Sequence, residues 1–126
     1  MWPAVLSLAC CFSLGGCGDD RPAMVAVTGK VTFNGQPLTA GSIYLHPDAT
    51  NKFQKDSPSS QLQLDGTVTF KTYPFGDGVP LGKYKVTLAP ALASRIGRPD
   101  YSNVEKTPWV LEVTESGVDG HEFIVK

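Results

Sequence analysis

Beyond Cys17 the sequence has no cysteine; the other two, Cys10 and Cys11, lie just upstream of it. Once the segment ahead of Cys17 is removed, a single thiol remains and no intrachain disulfide can form. Histidine is nearly as scarce. His46 and His121 are the only two, and they form no H-x-x-x-H pattern, so no zinc site is expected. Charge of either sign is missing before Asp19. Over the whole chain 11 basic residues meet 12 acidic ones, which leaves no electrostatic footprint for nucleic acid. There is no G-x-S-x-G elbow for an activated serine and no glycine-rich loop opening a helix to cradle phosphate. Asp65, Asp77 and Asp119 each precede glycine, which is turn chemistry and not the alternating carboxylate array of an EF-hand. These absences lead to the expectation of a non-catalytic protein without metal or cofactor.

A long apolar run is also missing. Residues 4–14, Ala-Val-Leu-Ser-Leu-Ala-Cys-Cys-Phe-Ser-Leu, are uncharged. With its flanks the run reaches about 13 residues, where a spanning helix needs about 20. The length suits the apolar region of a signal peptide. Leu14-Gly15-Gly16-Cys17 follows and resembles the bacterial lipobox: an aliphatic residue, two small residues, then the cysteine. The resemblance implies that Cys17 takes a diacylglyceryl group, that cleavage falls between Gly16 and Cys17, and that the two glycines let the backbone enter the peptidase cleft. The segment departs from the pattern in one respect, since Met1-Trp2-Pro3 carries no Lys or Arg. The expected organisation is a signal peptide at 1–16, a short lipidated tether at 17–24, and one domain at 25–126, a size that folds alone. Two or three acyl chains on Cys17 give stable anchoring where one binds only marginally. Gly18, and not Asp, directly follows Cys17, which favours the outer membrane of the cell envelope.

The remainder alternates apolar and polar residues with period 2, the mark of half-buried strands. Val25, Val27, Val31 and Phe33 form one apolar set, Ile43 and Leu45 a second, Leu62 and Leu64 a third. Val68 and Phe70, then Tyr84, Val86 and Leu88, then Trp109, Leu111 and Val113, then Phe123 and Val125 complete seven short strands. Asn34-Gly35, Asp65-Gly66 and Asp119-Gly120 are read as the turns between strands. Only Ala89–Ile96 has a helical look, and Pro90 and Gly97 restrict it to a turn or two. The expected fold is an all-β, seven-stranded antiparallel sandwich.

Thr28-Gly29-Lys30-Val31-Thr32-Phe33-Asn34-Gly35-Gln36-Pro37-Leu38, with the small-residue step Ala40-Gly41-Ser42, resembles the opening of carboxypeptidase regulatory-like domains. Asp65-Gly66 and Leu81-Gly82-Lys83-Tyr84-Lys85-Val86 resemble that family's D-G turn and its G-x-Y-x-V strand. The resemblance spans roughly residues 25–89. It implies a transthyretin-like or immunoglobulin-like sandwich and a non-catalytic role beside other modules, although this chain shows no second module. Transthyretin-like sandwiches include the hydroxyisourate hydrolases, but Glu122-Phe123-Ile124-Val125-Lys126 does not match their C-terminal tail. Tyr84 resembles a tyrosine corner. Trp109 is expected in or beside the core.

Three segments exceed the length that turns need: 47–60, 72–82 and 90–106. The first is polar and expected to be mobile. The others carry Tyr73, Phe75, Arg95, Arg98 and Tyr101, and aromatic and Arg side chains on loops are frequent recognition anchors. These five form the candidate binding set. The expected partners are membrane lipid through Cys17, and an unidentified envelope protein or, alternatively, a glycan stacked on the loop aromatics.

Overall fold

The computed structural model describes residues 22–54 and 57–126. The expected signal peptide, its motif Leu14-Gly15-Gly16 and the lipidated Cys17 lie outside the described residues, as does most of the tether.

The domain is all-β. Among the described residues the strands are β1 (Met24–Val25), β2 (Val27–Phe33), β3 (Gln36–Pro37), β4 (Ser42–Pro47), β5 (Ser59–Gln61) and β6 (Thr67–Thr69). They continue with β7 (Lys71–Thr72), β8 (Gly76–Asp77), β9 (Val79–Pro80), β10 (Gly82–Leu88), β11 (Val110–Val113) and β12 (Val118–Val125). One short helix, α1 (Pro90–Arg95), and a 3₁₀ turn, Pro99–Ser102, sit between β10 and β11. The larger sheet runs β11-β10-β4-β5-β7-β8, and the smaller holds β12, β2, β3 and β6, with β6 beside β2. β1 pairs with β9 as a separate ribbon.

Alternation predicts the inward faces well. Val27 and Val31 of β2, Phe123 and Val125 of β12 and Val68 of β6 meet Ile43, Leu45, Tyr84, Val86, Leu88, Leu111 and Val113 of the larger sheet in one core. The Phe70 and Phe123 rings meet edge-on at 6.3 Å between centroids, a favoured aromatic geometry. A single core shared by two sheets agrees with a sandwich.

Two features differ from the expectation. The strand count is higher because expected strands break where the chain changes sheets. The alternation of Val68 and Phe70 predicts one strand here. Instead β6 pairs with β2 and β7 pairs with β5, and the fully buried Phe70 lies at the crossing. The same happens at Ala26, between the β1 ribbon and β2. Alternation survives such a switch, so periodicity cannot reveal it. The pairing is also not wholly antiparallel. β12 lies parallel to β2, with Phe123 opposite Val31 and Val125 opposite Phe33. β11, in the other sheet, delivers β12 across the turn at Thr114–Gly117, so the last strand runs alongside β2 in the same direction.

Three local readings also change. Leu62–Leu64 is not strand, and Leu64 is 93% exposed. Asp119-Gly120 is a bulge within β12 and not a turn before it: the register shifts between Val118 and His121. Thr28 Oγ1 anchors the bulge, donating to Asp119 Oδ1 at 3.3 Å and accepting from Gly120 N at 3.0 Å. The 47–60 segment is held, not loose, where it is described. Asn51 is buried, and its side chain donates to Lys83 O and accepts from Lys83 N, both at 2.9 Å, as a neighbouring strand would.

Candidate functional site

The structure divides the five candidate residues between opposite ends of the domain. β7 runs in the direction of β4, so the tip after Thr72 projects from the end where β10 begins. Tyr73 is 81% exposed there. Phe75 is half-buried, its ring 5.8 Å from that of Phe53. Arg95, Arg98 and Tyr101 lie where β10 finishes, about 20 Å away along its seven residues.

At that far end the three side chains hydrogen-bond to the chain's own backbone. Arg95 donates to Thr39 O at 2.9 Å and Ala40 O at 3.3 Å. These carbonyls flank the turn where Ala40 takes a positive φ of 62°, a conformation unusual for a residue with a side chain. Arg98 donates to Lys126 O at 2.8 Å, and its guanidinium stands 5.2 Å from the Phe33 ring centre. Tyr101 is buried at 7% exposure, and its hydroxyl accepts from Lys126 N at 3.1 Å. Its ring packs 4.9 Å from Trp109, which is half-buried and donates to Ile124 O at 3.3 Å. Trp109 thus satisfies a backbone group of edge strand β12, and Arg98 and Tyr101 hold Lys126 just after it, a common means of blunting an edge. The five residues do not converge on one surface. Loop composition cannot tell an anchor for a ligand from an anchor for the chain's own backbone.

A different surface gathers polar groups. Cross-strand register brings Ser42 opposite Gln61, Tyr44 opposite Ser59, and Ser59 opposite Lys71. Directly paired residues share a face, here the outer face of the larger sheet. With Ser60, Gln63 and Thr69 they line a shallow groove of about 450 Å³. Tyr44 offers a half-exposed ring and hydroxyl. Serine and glutamine at alternate strand positions are ordinary solvent-facing residues, so no single position in the sequence signalled the groove. Only the register assembles it.

Beside the groove, His46 sits on β4 with Nε2 2.7 Å from Thr87 Oγ1. Burial holds its pKa below the ordinary 6.5. His121 is exposed on β12, 4.6 Å from the Phe123 ring. Among the described residues, no three His, Cys, Asp or Glu side chains gather as a metal-binding group. Tyr84 makes the corner contact that its motif implies: its buried hydroxyl donates to Pro80 O at 2.6 Å, and burial pushes the phenol up to about 12.

Compared with protein-family models, with curated proteins and with solved structures, the chain matches none.

Proposed function

We propose that this chain is a lipid-anchored, non-catalytic module of the bacterial cell envelope, acylated at Cys17 and working through protein contacts. One observation carries the reading. An uncharged apolar run ends in Leu14-Gly15-Gly16-Cys17, and the first strand of a folded domain starts only seven residues later, at Met24. The order of signal segment, lipobox, tether and domain is that of an exported lipoprotein. Gly18 favours delivery to the outer membrane. The domain is assigned to the carboxypeptidase regulatory-like group of transthyretin-like or immunoglobulin-like sandwiches. The corner contact of Tyr84 with Pro80 and the hairpin at Asn34-Gly35 support this, since Tyr84, Asn34 and Gly35 belong to the motifs that carry the resemblance. Protein contact has a route at β11, an edge strand of the larger sheet; such edges accept an added strand.

A second reading, glycan binding, draws on the Tyr44 groove. An aromatic ring among hydroxyl and amide groups suits a neutral sugar better than the separated loop aromatics do.

The deciding measurement is the intact mass of the protein recovered from the native membrane fraction, beside its Cys17→Ala form. A species beginning at Cys17 with added acyl mass is expected. A full-length, unmodified and soluble chain overturns the reading. For the glycan alternative, Tyr44→Ala abolishes retention on an immobilised glycan while leaving the urea midpoint unchanged.

A further inference from the structure

The end of the domain that receives the tether also bears its most exposed aromatic side chain. Pro22 and Ala23 line a shallow pocket together with Lys52, Phe53, Pro80 and Leu81. Phe53 packs against Phe75 with the two rings tilted, and Phe75 shares a tight hairpin tip with Tyr73, closed by Phe75 N donating to Thr72 O at 2.7 Å. β8 and β9 hold this tip against the entering chain: a Cβ on Gly78 would stand 3.3 Å from Val25 O and 3.4 Å from the Met24 side chain. Phe53 therefore lies beside Pro22, with Phe75 against it and Tyr73 on the same hairpin tip, and Pro22 is five residues after Cys17. Five residues reach at most about 18 Å when extended.

We propose that this end of the domain rests on the bilayer surface, with Tyr73, Phe75 and Phe53 in the headgroup region. The inference depends on lipidation of Cys17. A tether that short keeps Pro22 near the membrane and leaves the domain little freedom to turn the tip away. Aromatic rings with an apolar body and, in Tyr73, a polar tip settle at the membrane–water interface. Lys52 is exposed beside Phe53. Lys71, at the base of the tip, is only loosely engaged with Asp77 at 3.9 Å, with both side chains largely in solvent. The two ammonium groups are placed to meet lipid phosphates. The acyl chains hold the protein on the membrane and the aromatic tip fixes its tilt, so the Arg95 end stays clear of the lipid.

The test uses full chains recovered from membranes and reconstituted into phosphatidylethanolamine–phosphatidylglycerol vesicles with brominated acyl chains. Emission is read as the difference from the parent chain, whose own Trp109 supplies the background; one variant carries Tyr73→Trp. Another carries Leu64→Trp, an exposed position at the far end beside Thr39 and Ala40. Intact mass establishes acylation in each sample before fluorescence is read. In acylated protein, bromolipid is expected to quench the indole at position 73, with a blue shift of its emission. The indole at position 64 keeps its emission. Acylated protein in which neither is quenched, or in which position 64 is quenched more, overturns the proposed orientation and leaves lipidation standing. Absence of acyl mass overturns both, and the mass alone distinguishes that case.

Discussion

At the scale of single residues, several side chains act as substitutes for backbone. The Tyr84 hydroxyl fills a buried hydrogen-bond position at Pro80 O. Tyr84→Phe keeps the ring and orphans that carbonyl, and a buried unsatisfied group costs about 1–3 kcal/mol. Urea denaturation is expected to show a loss of that size with an unchanged m-value. His46 has a different signature. Burial lowers its pKa from 6.5 in the folded state, so folding favours the neutral ring. Above pH 6.5 both states are neutral and the group contributes no pH dependence. As pH falls below 6.5 the unfolded chain binds the proton first, and stability declines until the folded pKa is passed. Asp48 and Asp65 are held below their ordinary 3.8 by hydrogen bonds from Thr50 and Thr67. Their contributions are lost only in more acidic solution. Urea midpoints measured from pH 7.5 down to 5 are expected to fall for the parent chain and to fall less for His46→Gln.

At the scale of elements, the smaller sheet depends on a residue without a side chain. Gly29 sits mid-strand in β2, where a Cβ would come within 2.5 Å of His121 O and 2.8 Å of the Phe123 ring. Its φ is not in the left-handed region, so its role is space for the neighbouring strand. Gly29→Ala is expected to cost about 1–3 kcal/mol through overpacking, and Gly35→Ala, with nothing near its Cβ but a φ of 78°, less than that. Thermal denaturation of both variants checks the order. Elements were legible in the sequence where one physical signal decides them. Asn34-Gly35, with positive φ at both residues, makes the expected hairpin turn. Pro90 and Gly97 bound α1 as expected. Elsewhere the same signal serves two structures. Asp-Gly marks a turn at Asp65-Gly66 and a bulge at Asp119-Gly120. Polar composition marks a mobile loop, yet Asn51 is buried as a mimic of strand. The candidate site was harder still, because Tyr101 and Tyr73 look alike in sequence. One is 7% exposed and the other 81%, and nothing local separates them.

At the scale of the whole molecule, the last strand completes the fold. β12 contributes Phe123 and Val125 to the core and, among the described residues, is the only neighbour of β2 on that side. Truncation after Gly117 removes both buried side chains, opens β2, and strips Trp109, Tyr101 and Arg98 of the backbone they hold. Losing one buried Phe already costs about 3–5 kcal/mol, a large part of the stability of an ordinary domain. The truncated chain is expected to show no cooperative urea transition by circular dichroism.

The parallel pairing of β2 with β12 also sets a clock. A chain threaded through a membrane from its N-terminus presents Val27–Phe33 early and Val118–Val125 among its final residues. In any such emergence the smaller sheet cannot close until Val118–Val125 has followed Val27–Phe33 out, because the two strands that pair in it lie near opposite ends of the domain's sequence. Closure of this sheet is thereby timed by topology, whatever the chain emerges from.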